Sequence, residues 1–283
     1  MEENKKWRQI MDLRKLMYVV IIIICIASIA IGVYSQLTDT KTPSAKKNTI
    51  DNTLYEGKTQ EILKKEFNDI FDDELHSNGY DTSSVEKNES NKEIVYTISY
   101  VEKKDKYNID LYVPTVNIKG EIASKFNKTT QEVFANKANE LISGATVNTI
   151  YTVDYTGYIN GNIMSVIIKS TLKEGSSAQR IMVQTYNYNL KTGEEVSIDD
   201  AIEQRGISKN EVENKINVQV KEAIKEANEI QIAGYSVYKR DINNDMYKID
   251  NTSTFYLGDD GNLYIIYAYG NNEFTGEMDI IVI

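Results

Sequence analysis

The stretch at residues 149–172, TIYTVDYTGYINGNIMSVIIKSTL, decides how the second half of the chain folds. Residues 149–156 and 162–172 are rich in β-branched and aromatic side chains, and the second run shows partial alternation of apolar residues. Between the two runs stands Asn160-Gly161, a dipeptide that strongly favours the tight turn of a β-hairpin. We therefore predict two adjacent antiparallel strands in this stretch.

The chain after this hairpin continues with strands and then changes to helices. Residues 180–190 form a third strand-like run, and short connections predict an antiparallel meander with one face exposed to water. Helical patterns follow at residues 199–204 and 209–227, and Ser208 stands before the second one in the spacing of a capping box with Glu211. Three further strands are predicted, at residues 254–257, 263–269 and 278–283.

The chain before the hairpin mixes both kinds of element. The predicted elements are a helix at residues 56–75, strands at 94–101 and 107–118, and a helix at 121–142. Asn78-Gly79 is expected to end the first helix, and Pro114 indicates a strand edge or a bulge because proline has no N–H to donate. The pattern predicts the α+β class, with packed helices on an antiparallel-sheet domain. We divide this domain into residues 54–145 and 146–283.

A long apolar run precedes all of these elements. It begins at Leu16, ends at Tyr34 and contains 19 residues without a charge. As a helix it would be about 28 Å long at ~1.5 Å per residue, close to the ~30 Å hydrocarbon core of a bilayer. We therefore predict a single transmembrane helix in contact with the lipid bilayer, between a tail at residues 1–15 and a flexible stalk at residues 35–53.

The charges beside this run predict its orientation. Residues 1–15 contain five basic and three acidic side chains, and basic residues beside a first hydrophobic helix stay in the cytoplasm. The C-terminal domain is then expected outside the cell membrane, as part of the cell envelope. The alternative is a cleaved signal peptide, because Ser28 and Ala30 have the spacing of a cleavage site after Ala30.

Composition limits the possible partners. Residues 16–283 contain 27 basic and 39 acidic side chains, a net charge of −12, so nucleic acid is not an expected partner. The same charge suits a cationic protein. Cys25 and His76 are the only residues of their types in the sequence, which excludes a disulfide within the chain and a thiolate or histidine-rich metal site. We predict no cofactor and no metal.

The sequence contains no recognisable catalytic motif. Asp241, Asn243 and Asp245 have the spacing that begins a calcium-binding loop, but Met246 replaces the required glycine and Thr252 replaces the required glutamate. Paired carboxylates of the kind that glycosidases use are defined by their distance in space, so the sequence singles out no pair. We predict a protein that is not an enzyme, and an envelope hydrolase with unrecognised carboxylates is the alternative.

Several stretches resemble a known family. Residues 186–200, YNYNLKTGEEVSIDD, resemble the strand, turn and short helix of the RsiV-like family of bacterial extracytoplasmic domains of unknown function. Residues 255–267, FYLGDDGNLYIIY, resemble its closing hairpin. Residues 114–118 with Phe126-Asn127 resemble its partner domain, which also occurs beside peptidoglycan deacetylases. The family forms the ectodomain of a lysozyme-responsive anti-sigma factor, so the resemblance implies an α+β fold, an envelope location and a binding function.

From these observations we expect a membrane-anchored binding or sensor module that recognises a lysozyme-like protein or a peptidoglycan-related wall component. A structural subunit of a membrane complex is a further alternative. The loop at residues 174–180 is the first expected contact, because it stands where the family carries a glycine-rich loop. The tyrosine-rich residues 234–247 are the second, because tyrosine gives contact area at low entropic cost. The candidate partner-binding residues are Glu174, Gly175, Ser176, Ser177, Gln179, Tyr235 and Tyr238.

Overall fold

The computed structural model describes residues 58–77, 79–230, 237–269 and 276–283, which form helices and two sheets. The elements in chain order are α1 (Gln60–Asp69), β1 (Leu75–Ser77), β2 (Val95–Lys104), β3 (Tyr107–Val116), α2 (Glu121–Gly144), β4 (Thr149–Asn160), β5 (Ile163–Glu174), β6 (Arg180–Asn189), α3 (Ile198–Arg205), α4 (Lys209–Glu229), β7 (Phe255–Leu257), β8 (Leu263–Ala268) and β9 (Met278–Val282). The predicted α+β class is confirmed.

The larger sheet has six strands, with the order β2-β3-β4-β5-β6 and β1 beside the far end of β4. The strands β4, β5 and β6 form the predicted antiparallel meander, and Gly161, with φ of 59°, makes the predicted turn. The strands β3 and β4 are parallel, and α2 supplies the crossover between them. The sheet therefore runs through both of the predicted halves of the domain.

Both faces of the meander are covered over much of their area. The helix α2 packs on one face, where Phe134 and Val153 are fully buried. The smaller sheet, with the order β7-β8-β9, packs with α1 on part of the other face. There Ile167 of β5 and Ile280 of β9 belong to one buried hydrophobic cluster. The expectation of one wet face is therefore wrong for β5, because a second sheet covers the side that the meander alone would leave in water.

The first helix is shorter than predicted. It ends at Asp69, and residues 75–77 form a strand because they pair with β4, where Gly157 N donates to Glu74 O at 2.9 Å. Asp73 turns the chain, with φ of 60°. It bonds both main-chain groups of Tyr155, since its N–H donates to Tyr155 O and its Oδ1 accepts from Tyr155 N. Asp73 thus fills the gap where β3 leaves β4.

Two local features of β2 and β3 follow from how these strands pair. The turn between β2 and β3 is only Asp105-Lys106, because residues 102–104 continue the ladder with β3. Pro114 lies inside β3, yet the pairing of β3 with β4 has already ended at Leu111, so its missing N–H breaks no ladder. At Pro114, β3 is therefore a local edge of the sheet on the side of β4, as the proline predicted.

The membrane-spanning prediction lies outside the residues that the structure describes. Residues 16–34, with the tail, the stalk and the orientation inferred from them, belong to the N-terminal 57 residues. Within the described ranges, no helix combines the length and the apolar character needed to cross a bilayer.

Candidate functional site

The first predicted contact segment forms the connection between β5 and β6. Glu174 ends β5 and pairs with Arg180 at the start of β6, while the N–H of Ser177 donates to the carbonyl of Glu174 at 3.0 Å. Gly175 has φ of 53°, a conformation that glycine adopts without strain. The residues from Gly175 to Gln179 are exposed. The hairpin tip is therefore an accessible surface held by its own hydrogen bonds.

The charge of this tip differs from the charge that a cationic partner would need. The carboxylate of Glu174 is already paired with Arg180, and the ammonium group of Lys173 donates to the carbonyl of Ser177. Two basic side chains thus accompany one acidic side chain. The tip offers hydrogen-bonding groups and shape, and little negative charge.

The second predicted segment is described from residue 237 onward, so Tyr235 lies outside the described residues. The ring of Tyr238 is half-buried and stacks on Tyr269, with centroids 4.2 Å apart. Its N–H donates to Glu277 Oε2 at 2.9 Å. Tyr238 is therefore fixed against the end of the smaller sheet.

The two predicted segments meet at the start of β9. A Cβ on Gly276 would lie 3.2 Å from the carbonyl oxygen of Gln179, so the two backbones are in close contact. The next residue, Glu277, accepts the hydrogen bond from Tyr238. The structure therefore brings Gln179 and Tyr238 to one end of the molecule through residues 276–277, a proximity that sequence alone did not predict.

A buried ionic cluster anchors this end. The guanidinium of Arg240 donates to Asp279 from Nε at 2.6 Å and from Nη2 at 2.7 Å, and Nη1 lies 3.0 Å from Glu277 Oε1. The hydroxyl of Tyr269 also donates to Asp279, at 2.6 Å. Burial opposes the charge of Arg240, yet the hydrogen bonds and charge of Asp279 raise the pKa of Arg240 above its usual value. The cluster holds residues 237–240 to β9.

The opposite end of the larger sheet carries an acidic cleft that sequence reasoning did not select. Its volume is about 260 Å³, and it lies between the end of β6 and α3. The lining residues are Ile163, Asn189, Thr192, Glu194, Glu195, Val196, Asp200, Glu203 and Gln204. Four of these nine residues are acidic and none is basic. The available signal was the high density of acidic residues at 194–203, within and just after the stretch that resembles the family.

The geometry of α3 fixes one of these carboxylates. Ser197 caps the helix, and its N–H and hydroxyl both donate to Asp200 Oδ2, at 2.8 and 2.6 Å. These hydrogen bonds lower the pKa of Asp200, so this carboxylate is charged at neutral pH. In the part of the chain that the structure describes, no ion pair involves Glu194, Glu195 or Glu203.

A third group of polar side chains lies on the larger sheet, beyond the area that the smaller sheet covers. Asp154 on β4 faces Lys169 on β5, and Asp110 on β3 pairs in register with Thr152, two residues before Asp154. Burial raises the pKa of Asp154, with a further rise from Asp110, while Lys169 lowers it. Lys169 is itself 91 % buried and donates to Asn68 at 3.3 Å.

None of these groups resembles a metal centre. In residues 58–77, 79–230, 237–269 and 276–283, no three His, Cys, Asp or Glu side chains are placed to hold a metal ion. His76 lies on β1, where its Nε2 is 2.8 Å from Asp72 Oδ2 and its ring stacks on Tyr158. The side chain of Asp241 accepts from Asn243 and thus caps its own turn.

Comparison with known proteins gives structural neighbours alone. No protein-family model matches the sequence. No curated protein matches it either. Two crystal structures are similar to this chain. One is a DUF3298 family protein from Pseudomonas aeruginosa PAO1, with a TM-score of 0.42, 9 % sequence identity, and coverage of 66 % of this chain and 88 % of that one. The other is a DUF3298 family member from Bacteroides fragilis, with a TM-score of 0.40, 13 % sequence identity, and coverage of 72 % of this chain and 92 % of that one.

Proposed function

We propose that this chain is a membrane-anchored extracytoplasmic module that binds a cationic protein, as a sensor or receptor in the cell envelope. The observation that carries the proposal is the acidic cleft beside α3. It is concave, four carboxylates line it, and one of these is held in its charged form by Ser197. A cleft of this charge attracts the lysine and arginine side chains of a basic protein.

The groups that line the cleft suit basic side chains. Asn189, Thr192 and Gln204 add neutral hydrogen-bonding groups beside the carboxylates. Arginine could therefore donate to both kinds of acceptor, which is the pairing that charged protein interfaces use.

The overall charge supports the same partner. Acidic side chains outnumber basic ones by 12 in residues 16–283, and such a surface steers the approach of a cationic protein over long range. A peptidoglycan-related ligand remains the other candidate partner that the resemblance implies. The hairpin tip at residues 174–180, which has little negative charge, is the surface that would serve a neutral ligand.

Binding of lysozyme, a cationic protein, to the purified full-length chain in detergent micelles tests this function. We expect saturable binding whose association rate falls steeply as salt rises from low to physiological concentration. Substituting Glu194→Lys and Glu203→Lys together should weaken binding, whereas the matched pair Glu140→Lys and Glu132→Lys on α2 should have a smaller effect. Equal effects of the two pairs would leave only non-specific charge attraction and would contradict a site in the cleft.

The anchor and the orientation belong to the same proposal. If residues 16–34 cross the membrane with the basic tail inside, protease added to intact protoplasts should digest the folded domain. Full protection until the cells are lysed would place the domain on the other side. Release of the domain into the medium without protease would instead indicate cleavage after Ala30.

An envelope hydrolase is the second candidate, and the carboxylates on the open sheet face favour it. Asp110 and Asp154 lie on adjacent strands, Asp110 Oδ1 is buried without a hydrogen-bond partner among the described residues, and the pKa of Asp154 is raised. Carboxyl groups with such environments are frequent in catalytic sites. Turnover of purified peptidoglycan by the wild type, and its loss in Asp154→Asn, would support this candidate over a binding module.

A further inference from the structure

The smaller sheet hides the main-chain groups at both of its edges. On β7, the N–H of Phe255 donates to Thr185 Oγ1 at 3.1 Å and its carbonyl accepts from Asn187 Nδ2 at 2.9 Å. The N–H of Leu257 donates to Ser165 Oγ, also at 3.1 Å. Side chains of the larger sheet thus occupy the positions that another strand would take, and they close this edge to a partner.

The other edge of the smaller sheet is closed in the same way. The side-chain amide of Gln60 makes hydrogen bonds with both main-chain groups of Ile280, and Gln219 does so with Val282. Ile280 and Val282 direct their main-chain groups away from β8, so all the capped groups lie on the outer edge of β9. Neither edge strand of this sheet is therefore available for a further strand.

The edge strand β6 of the larger sheet lacks such protection. Asn187 O accepts from Val196 N at 2.9 Å on the side away from β5, so the odd-numbered residues of β6 direct their main-chain groups outward. From Arg180 to Thr185, no described residue makes a main-chain hydrogen bond with the outer edge of β6. At Ile181 and Val183, the outward N–H and C=O groups have no hydrogen-bond partner among the described residues.

The side chains along this edge do nothing to discourage pairing. Residues 181–185, Ile-Met-Val-Gln-Thr, carry no charge and no proline, and Met182 is 39 % exposed. The opposite edge strand, β2, places Glu102, Lys103 and Lys104 together at its end. Charged residues on an edge strand are a common protection against pairing with another chain. The charges of β2 protect only that end, because residues 95–101 are also uncharged, whereas β6 has no charge after Arg180. We therefore take β6 as the better candidate to accept a strand.

We propose that β6 of a second copy of this chain adds to this edge in antiparallel orientation, which joins the two larger sheets into one. A two-fold axis at Met182 places Met182 opposite its counterpart, because even-numbered residues of β6 are the non-hydrogen-bonded positions of the outer edge. Ile181 of each copy then pairs with Val183 of the other, with about four main-chain hydrogen bonds in total.

The strand is complementary to itself in this register. Arg180 of one copy lies opposite Gln184 of the other, so no like charges face each other, and the two exposed methionines cover one another. Because the strand can pair with itself, its uncharged side chains are explained without a different partner chain. A pairing of this length is weak in free solution, and two chains anchored in one membrane would gain from their high effective concentration. The pairing does not use the cleft, and Arg180 is the only residue that it shares with the hairpin tip. The gain from effective concentration rests on the membrane anchor of the proposed function.

Cysteine cross-linking of the full-length chain in detergent micelles tests the register. With Cys25→Ser as the background, Met182→Cys should form a disulfide-linked dimer under mild oxidation, because Cα atoms at such a position lie about 4.5 Å apart. Val101→Cys, a more exposed position on the other edge strand, is the matched control. We expect a dimer yield at least about tenfold higher for Met182→Cys. Equal yields would overturn the proposal.

A second measurement does not depend on cysteine chemistry. Light scattering should find the full-length chain dimeric in micelles, and Met182→Lys should convert it to a monomer because two ammonium groups would meet at the axis. Val101→Lys should leave the dimer intact, and circular dichroism should show both variants folded. A monomeric wild type, or a dimer that persists in Met182→Lys, would show that β6 is not the interface.

Discussion

The side chain of Gln60 and the main chain of Ile280 pair as two residues of neighbouring strands would. Gln60 Nε2 donates to the carbonyl of Ile280 at 3.0 Å, and the N–H of Ile280 donates to Gln60 Oε1 at 2.9 Å, in the buried interior. Asn127 makes the same pair of bonds with Val116 at the end of β3. Side-chain amides therefore complete the strands at points where the sheets end.

Replacing Gln60 with alanine should destabilise the fold by about 2–4 kcal/mol, because two buried main-chain groups of Ile280 would lose their partners. Gln60→Glu should also destabilise it, since a carboxylate oxygen would then face the carbonyl of Ile280. Urea denaturation measures both effects, with the exposed Gln179→Ala as the control. A loss within about 0.5 kcal/mol for Gln60→Ala would show that water replaces the amide.

The cluster around Arg240 allows a test of buried charge. Arg240→Met leaves Asp279, which has no exposed side-chain surface, without its bidentate partner, and we expect a loss of about 3–5 kcal/mol in the free energy of unfolding. Arg240→Lys should recover only part of it, because lysine cannot make the two parallel hydrogen bonds. The neighbouring Lys239→Met, at an exposed position, should change stability little.

A double variant separates the loss of attraction from the cost of a poorly compensated charge. In Arg240→Met the remaining cation is Lys64, whose Nζ lies 3.8 Å from Asp279 Oδ1. If the poorly compensated carboxylate dominates, Asp279→Asn in the Arg240→Met background should restore part of the lost stability, as measured by the same urea midpoints. Additive losses in the double variant would instead indicate that each side chain contributes through packing.

The raised pKa of Asp154 predicts a pH dependence. Burial raises this pKa above the ordinary 3.8, so the folded state binds the proton more tightly than the unfolded chain. Its contribution to stability is complete below the unfolded pKa and is lost as pH rises through the folded pKa. Asp154→Asn should therefore stabilise the protein at neutral pH, by less than about 1 kcal/mol because the side chain keeps partial contact with water.

Thermal unfolding at pH 7 and at pH 3 checks this expectation. The stabilising effect of Asp154→Asn should be present at pH 7 and should vanish at pH 3, where the wild-type carboxyl is protonated in both states. Asp105→Asn in the exposed turn between β2 and β3 is the control and should show no difference between the two conditions. Destabilisation at pH 7 would mean that the attraction between Asp154 and Lys169 outweighs burial.

Local sequence signals predicted the elements whose causes are local. Asn160-Gly161 predicted the β4–β5 hairpin, and the long helices α2 and α4 agree with the predicted starts at residues 121 and 209. The strand at Leu75–Ser77 was missed because it is three residues long and exists through its parallel pairing with Gly157–Ile159. A segment of that length carries too few residues for any period to be visible.

Contacts between distant residues could not be predicted from the sequence, for a different reason. Gln60 and Ile280 are 220 positions apart, and nothing in either neighbourhood indicates the other. The same limit applies to the candidate sites, because nothing local indicated that the carboxylate of Glu174 pairs with Arg180 within the predicted contact loop. The acidic cleft needed the turn after β6 to bring Glu194 and Glu203 together.

The last prediction compares the two ends of the larger sheet as binding surfaces. Glu174 and Gln179 belong to the loop that the sequence predicts as the first contact of a cationic partner. Glu174 is already paired with Arg180, whereas no ion pair in the described residues uses Glu194 or Glu203. We therefore expect the lysine pair in the cleft to lower the association rate for lysozyme by about tenfold at low salt, and lysine in place of Glu174 and Gln179 in the tip to lower it less.

Stopped-flow association at several salt concentrations measures this difference, and thermal unfolding confirms that both double variants are folded. The steep salt dependence of the wild type should become shallow in the cleft variant and stay nearly unchanged in the tip variant, because charge in the cleft supplies the steering. The reverse order of effects would identify the loop at residues 174–180 as the contact and the cleft as a solvated feature of the surface. No effect of either pair, with binding intact, would exclude recognition through both ends.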